Sequence, residues 1–360
     1  MVTKYFPDAQ VAAFHRIPLD LALREGCKIE TEADGGNRMK QMKITEMEAL
    51  INREYKNICG INVLKNNERV YEAYFQGFTF ESRMHVYSVT KSIVSILLGI
   101  AIDAGYINDV TKRVLDFFPD AAQEKDSARK EVTLEDIITM TAAYKYRIPP
   151  YIKYFTSDDW LQFSLDQLKG RNKQFRYTPL IGLDILTGIL QKTTGQSVLA
   201  FAQEKLFAPL HISVERDLIF KSKEEQMAFN QADFISGWAA DAKGLQSAGW
   251  GLALSAKEMA DIGQLYLNGG VWEGKQLVSK SWIEQSTKEH SRWKKRNLPY
   301  GYLWWIDEQK DVFAAMGDGG NIIYVNTKEQ LVVSLMCRFN PRAKDSMDFI
   351  KEHLEPIFIY

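Results

Sequence analysis

Ser88 and Lys91 are the pair in this sequence whose types and spacing could do chemistry. In Ser88-Val-Thr-Lys91 the two lie at i and i+3. On a helix they share one face, with Cβ atoms about 5–6 Å apart. A lysine in that place can take the serine proton if its amine is neutral. Burial among apolar groups lowers a lysine pKa by up to about 3–5 units. A serine at a helix start also lies at the positive end of the helix dipole, where a nearby oxyanion is favoured. The chemistry would be acyl transfer, with Ser88 as nucleophile and Lys91 as its base. The bland alternative is that Ser88 and Thr90 merely cap a core helix.

The same spacing recurs at Ser127-Ala-Arg-Lys130 and Ser291-Arg-Trp-Lys294, both in charged stretches. Ser88 differs because it opens a helical run, Ser88–Ile107, that is apolar nearly all round through Ile93, Val94, Ile96, Leu97 and Ile100. There is no G-x-S-x-G elbow. The five histidines, His15, His85, His211, His290 and His353, stand in unremarkable contexts and never at metal-pairing distance. Asp158-Asp159 and Glu224-Glu225 are neighbours that point different ways on a helix, so no glycosidase pair is indicated. Gly249-x-Gly251 lacks the third glycine of a dinucleotide turn and reads as a turn before a helix at Ser255. No metal and no cofactor are expected.

The elements around this pair follow from periodicity. Ile44–Tyr55 reads as a helix. Ile58–Leu64 and Arg69–Phe75 are β-rich runs around the hairpin signature Lys65–Glu68. The middle of the chain is helical: Thr133 and Asp136 form a capping box, and Asp158–Gln167, Ile181–Lys192, Ser197–Leu206 and Ser255–Leu267 continue the pattern. Tyr300–Trp305, Val312–Met316, Asn321–Val325 and Leu331–Cys337 are β-rich, and Ala343–Leu354 closes the chain as a helix. Strands at both ends predict one sheet built from residues 1–85 and 245–360, with a mostly helical domain, 86–244, inserted between them and a site where the two meet. The fold class expected is α+β, an antiparallel sheet flanked by helices.

Composition narrows the function. The 360 residues carry 45 basic and 46 acidic side chains, a net charge of −1, so there is no electrostatic footprint for nucleic acid or an anionic membrane. The longest uncharged run, Gly244–Ala256, is too short and too polar for a membrane span. Met1–Gln10 has no apolar core after Lys4 and Asp8, and Cys27, Cys59 and Cys337 match no disulfide or metal pattern. A cytoplasmic protein with reduced thiols is expected, acting on a small molecule. The oligomeric state is not legible.

Tyr87–Tyr106, YSVTKSIVSILLGIAIDAGY, resembles the nucleophile segment of the serine β-lactamase and penicillin-binding protein superfamily, in the class C β-lactamase-like branch with esterases and 6-aminohexanoate-dimer hydrolases. Further blocks match in order: Val114–Asp120, Val132–Ala142, Phe175–Val198, Leu206–Ile212, Ser247–Ile283 and Tyr300–Trp305. The resemblance runs from about Ile58 to the C-terminus. It implies the β-lactamase/D,D-peptidase-like fold and a serine hydrolase (EC 3) that cleaves an ester or amide through an acyl-enzyme on Ser88. Lys91 would be the proton acceptor. Tyr177 would be the tyrosine of the second motif, Tyr-x-Asn.

The third motif would lie at Asp318-Gly319-Gly320, with the backbone of Ser88 and Asn321 as the oxyanion hole. Two departures stand out. Pro179 replaces the asparagine of Tyr-x-Asn, and Asp318 stands where the family has lysine or histidine. A carboxylate there repels anionic substrates and suits neutral or cationic ones. This argues against β-lactamase or D,D-peptidase activity. The alternative functions are a catalytically impaired binding protein of the same fold, or a penicillin-binding or β-lactamase-type enzyme. The aromatic stretch Tyr144–Trp160 reads as a loop, with Tyr144, Tyr146, Tyr154 and Trp160 as candidates to line a pocket.

Overall fold

Asn66 and Asn67 take φ of 51° and 68°, the two left-handed conformations that a tight hairpin turn demands. They join β1 (Ile58–Lys65) to β2 (Glu68–Tyr74), as the sequence pattern predicts. The computed structural model describes residues 32–121, 127–172, 174–307 and 311–359. Cys27, His15 and the Met1–Gln10 segment lie outside the described residues. The chain divides into two units, Met1–Met42 and Lys43–Tyr360. Helix α1 (Glu32–Glu54) starts in the first and ends in the second.

Among the described residues, eight antiparallel strands form one sheet. The C-terminal part supplies β3 (Ser291–Trp293), β4 (Leu298–Tyr300), β5 (Trp305–Asp307), β6 (Val312–Gly317), β7 (Asn321–Asn326) and β8 (Leu331–Cys337). The order is β3-β4-β5-β6-β7-β8-β1-β2, so the chain's last strand pairs with its first. This is the α+β architecture expected, an antiparallel sheet flanked by helices. The intervening stretch is helix-rich and carries only two-stranded pairings. Lys43–Tyr360 is nonetheless one compact unit, so sheet-bearing and helix-rich stretches are regions of a single body.

Both faces of the sheet are covered, which is why β7 and β8 are buried along their whole lengths. Ile322, Tyr324, Val333 and Leu335 pack with Met47 and Ile51 of α1 and with Phe349 and Leu354 near the C-terminus. The alternate residues Ile323, Val325 and Val332 face the other side and join the larger core. There they meet α4 (Ala256–Leu267), capped by the Ser255–Glu258 box, and α2 (Val89–Asp103). Between them in sequence comes α3 (Asp184–Thr194), closed by Gly195 at φ 72°.

Two expected helices and one expected loop differ in detail. Ser197–Leu206 is helical over Val198–Ala202 and then widens into a π turn, Gln203–Phe207. The closing helix is Ser346–Phe349, a π turn and Glu355–Phe358. The Tyr144–Trp160 stretch, read as a loop, contains a short helix, Tyr151–Phe155. Periodicity does not register a one-residue change of helical pitch.

Helix α2 is buried from Val89 to Ala101 and therefore has little freedom to move. Gly99 lies against Trp282, so a Cβ there would come within 2.3 Å of the indole. Gly99→Leu is expected to overpack this contact by about 1–3 kcal/mol and lower the melting temperature by several degrees. Thermal unfolding followed by circular dichroism measures it. An unchanged melting temperature would show that α2 can shift away.

Candidate active site

Ser88 caps α2 at its N-terminus, and Lys91 follows one turn on. The lysine is 2% exposed, with Ile93, Val94 and Val89 buried about the same turn. Its Nζ lies 2.7 Å from Ser88 Oγ and donates to the Gly249 carbonyl at 2.8 Å. Burial lowers the Lys91 pKa to about 7, opposed by the charges of Asp318 and Asp184. The i, i+3 spacing thus delivers a serine and a half-neutralised amine in contact. Ser88 itself is only half-buried, so a substrate can reach it.

Tyr87, just before Ser88, takes φ 50°, a conformation that costs a non-glycine residue about 1 kcal/mol or more. His85 lies behind it, ring against ring at 3.9 Å, and accepts the Gly251 N–H on Nε2 at 2.9 Å. His85 is therefore a buried, hydrogen-bonded histidine, held neutral by desolvation that drives its pKa to about 3.

Tyr177 joins the pair. Lys91 Nζ is 5.3 Å from its ring centroid. The preceding residue is fastened twice, by its Arg176 N–H to the Met140 carbonyl at 2.9 Å and by its guanidinium to the Tyr146 carbonyl at 2.8 Å. The Tyr177 ring also packs on Trp305 at 5.7 Å. Burial raises its pKa well above the ordinary tyrosine value, while the nearby Ser88 hydroxyl works the other way. The phenol stays protonated at neutral pH, so it can donate a proton but is a poor base.

The third-motif turn, Asp318–Gly320, joins β6 to β7. Gly317, at the end of β6, lies against Ser88: a Cβ there would fall 3.2 Å from the Ser88 nitrogen and 2.2 Å from the Val86 carbonyl. Among the described residues no acceptor takes the Ser88 N–H. Asn321 turns its side chain into the sheet, donating to the Asp318 and Cys337 carbonyls and accepting the Cys337 N–H. Asn321 is the partner of Gly317 across β6 and β7, so its backbone stands opposite the glycine that lies against Ser88.

Gly319 and Gly320 pack against neighbouring segments. Gly319 takes φ 80° and packs on the Arg338 carbonyl, and Gly320 faces Ser346 and Asn57. Asn57 donates to the Gly319 carbonyl and Ser346 to that of Gly320, so both glycines serve the turn. Asp318 is exposed, and among the described residues its carboxylate accepts no hydrogen bond. Its charge is felt at Lys91, Tyr87, Tyr151 and Tyr177, which puts it at the mouth of the site.

The aromatic candidates are mostly interior. Tyr154 is wholly buried, stacks on Trp160 at 5.1 Å and donates to Asp184. Tyr144 is buried against Gly182 and stacks on Tyr146, whose hydroxyl donates to the Ile181 carbonyl. Tyr151, not singled out from the sequence, is the residue of that stretch exposed near Asp318. Gly249, read as part of a turn, supplies a Lys91 acceptor. Its signal in the sequence was only the glycine pair Gly249 and Gly251. Among the described residues no cluster of His, Cys, Asp and Glu could hold a metal ion, and no helix is long and apolar enough to cross a membrane.

Comparison with known proteins assigns the chain to a family. The family model described as Beta-lactamase matches residues 59–354. A 6-aminohexanoate-dimer hydrolase of Paenarthrobacter ureafaciens is 25% identical over 249 residues, 64% of this chain and 57% of that protein. The chain thus spans a little over half the length of that relative. Among solved structures, a penicillin-binding protein homologue from Caulobacter crescentus superposes with a TM-score of 0.66 at 16% identity, covering 84% of this chain and 92% of its own. A family VIII carboxylesterase superposes with a TM-score of 0.65 at 15% identity, covering 88% and 97%. At such identities the structures speak to fold alone, and the matched span, 59–354, takes in Ser88, Lys91, Tyr177 and the Asp318 turn. The chain belongs to the beta-lactamase family.

Proposed function

We propose that this protein is a serine hydrolase that cleaves a small ester or amide through an acyl-enzyme on Ser88. The observation that carries this reading is the buried Lys91 amine, 2.7 Å from the Ser88 hydroxyl with its pKa brought down to about 7. In its neutral form Lys91 takes the Ser88 proton as Oγ bonds to the substrate carbonyl carbon. The carbonyl oxygen becomes an oxyanion beside the unengaged Ser88 N–H at the start of α2, with the Gly317 backbone next to it. Collapse of the tetrahedral adduct breaks the bond to the leaving group, which takes its proton from the neutral Tyr177 phenol. The Lys91 ammonium returns that proton to Tyr177. Water then attacks the acyl-enzyme by the same route in reverse. Carboxylesterase and amide-hydrolase activities in the names of its relatives support the same class.

Asp318 supports a preference within that class. An unpaired, exposed carboxylate at the mouth disfavours acyl groups that carry a negative charge and admits neutral or cationic ones.

Three outcomes are expected. Incubation with a fluorophosphonate adds one phosphonyl group, located on Ser88 by peptide mass spectrometry, and Ser88→Ala removes both the adduct and the turnover of p-nitrophenyl esters. A wild-type protein that stays unlabelled would instead favour the impaired binding protein. Because the base must be neutral, the labelling rate rises with pH through about 7, roughly tenfold per unit below it, and levels above. A flat profile from pH 5 to 9 would remove Lys91 as the base. Asp318→Lys raises kcat/KM for esters of anionic acids relative to neutral ones by about tenfold, measured by initial rates on a matched pair. An unchanged ratio would show that the carboxylate does not meet the acyl group.

A further inference from the structure

Pro179 removes the side-chain amide that the second motif would offer, yet the Lys91 amine is not left without an acceptor. The Gly249 carbonyl takes one of its N–H groups at 2.8 Å. A neutral amine has two N–H groups and one lone pair, so fixing an N–H on Gly249 restricts where the lone pair can point. Gly249 lies against Pro179 itself: a Cβ there would come 2.6 Å from the Pro179 carbonyl and 3.1 Å from Leu180 Cα. The replacement and the substitute acceptor are in contact.

The loop bearing Gly249 is fastened on both sides. Downstream, His85 accepts the Gly251 N–H at 2.9 Å and Thr90 accepts the Leu252 N–H at 3.4 Å. Upstream, the carboxylate of Asp184, wholly buried in the first turn of α3, accepts the Ser247 hydroxyl at 3.1 Å and the Ala248 N–H at 3.0 Å. Its other oxygen accepts from the Tyr154 hydroxyl at 2.8 Å and the Ser164 hydroxyl at 3.5 Å. Four donors converge on this carboxylate. They hold it in place although burial raises its pKa to about 7, with Asp241 adding to the rise. Nothing in the acyl-transfer steps uses Asp184 directly.

We infer that Asp184 is a positioning residue for the base: through Ser247 and Ala248 it holds the Gly249 carbonyl that orients Lys91, in place of the amide lost at Pro179. Its charge also favours the Lys91 ammonium, as does that of Asp318 on the other side of the site, while the Tyr177 ring lies beside the amine. Loss of the Asp184 charge and loosening of the Gly249 acceptor therefore act in the same direction. Both make Lys91 easier to deprotonate and leave it less well aimed.

The kinetic side of this inference rests on the acyl-enzyme reading above, so the test includes a readout that does not. Protein labelled with 13C at lysine Cε allows the Lys91 titration to be followed by NMR in wild type, Asp184→Asn and Ser247→Ala, beside the pH profile of Ser88 phosphonylation. In Asp184→Asn the Lys91 midpoint is expected to fall by about one pH unit. The acid limb of labelling should follow it, and the plateau rate should drop by roughly 10- to 100-fold. Ser247→Ala, a smaller change, should shift the midpoint the same way by less. It decides the matter if Asp184→Asn does not fold. A folded variant whose Lys91 midpoint coincides with wild type overturns the inference. A wild-type protein that shows the Lys91 titration but no Ser88 adduct overturns the hydrolase reading and leaves the positioning result standing.

Discussion

Everything in this site depends on holding one amine out of water. A lysine 2% exposed is unfavourable as an ammonium, and the protein meets that cost by letting the group approach neutrality beside the Ser88 hydroxyl. That constraint explains the character of α2. A helix apolar nearly all round is not needed to hold a serine at its N-terminus, but it is needed to desolvate a residue one turn inside. The sheet and α4 on one side and the helix-rich stretch on the other supply the surroundings that keep water away.

The elements with a local cause were legible in the sequence. The Asn66-Asn67 turn, the Thr133–Asp136 capping box and the burial of α2 each rest on residues close together in the chain. The Ser88–Lys91 contact was legible for the same reason, since one helical turn fixes it. Gly249, Asp184 and Gly317 were not. Each acts through a contact between distant segments, and two of them through main-chain atoms that leave no trace in residue type. Asp318, Gly319 and Gly320 form a turn between two strands, and pattern alone does not reveal that Gly319 packs on the Arg338 carbonyl.

The aromatic stretch shows the converse error. Six aromatic residues between Tyr144 and Trp160 look like the lining of a pocket, yet Tyr154 and Trp160 are core, and the hydroxyl of Tyr154 is spent on Asp184. Aromatic side chains carry large apolar area, so burial claims them first and a cavity takes what remains. Tyr151 and the half-buried Tyr87 are what remain here, both within the field of Asp318.

The acceptor that replaces the missing amide is a peptide carbonyl. A side-chain amide can be deleted by one codon change, whereas a main-chain oxygen is present whatever residue stands there. The glycine at 249 is demanded by the crowding of Pro179, not by the hydrogen bond. The vulnerability of the base has therefore been moved away from the site. Inherited variation can weaken it only at a distance, through the interior residues that hold the loop, where damage would first register as an altered pH response and not as an absent catalytic group.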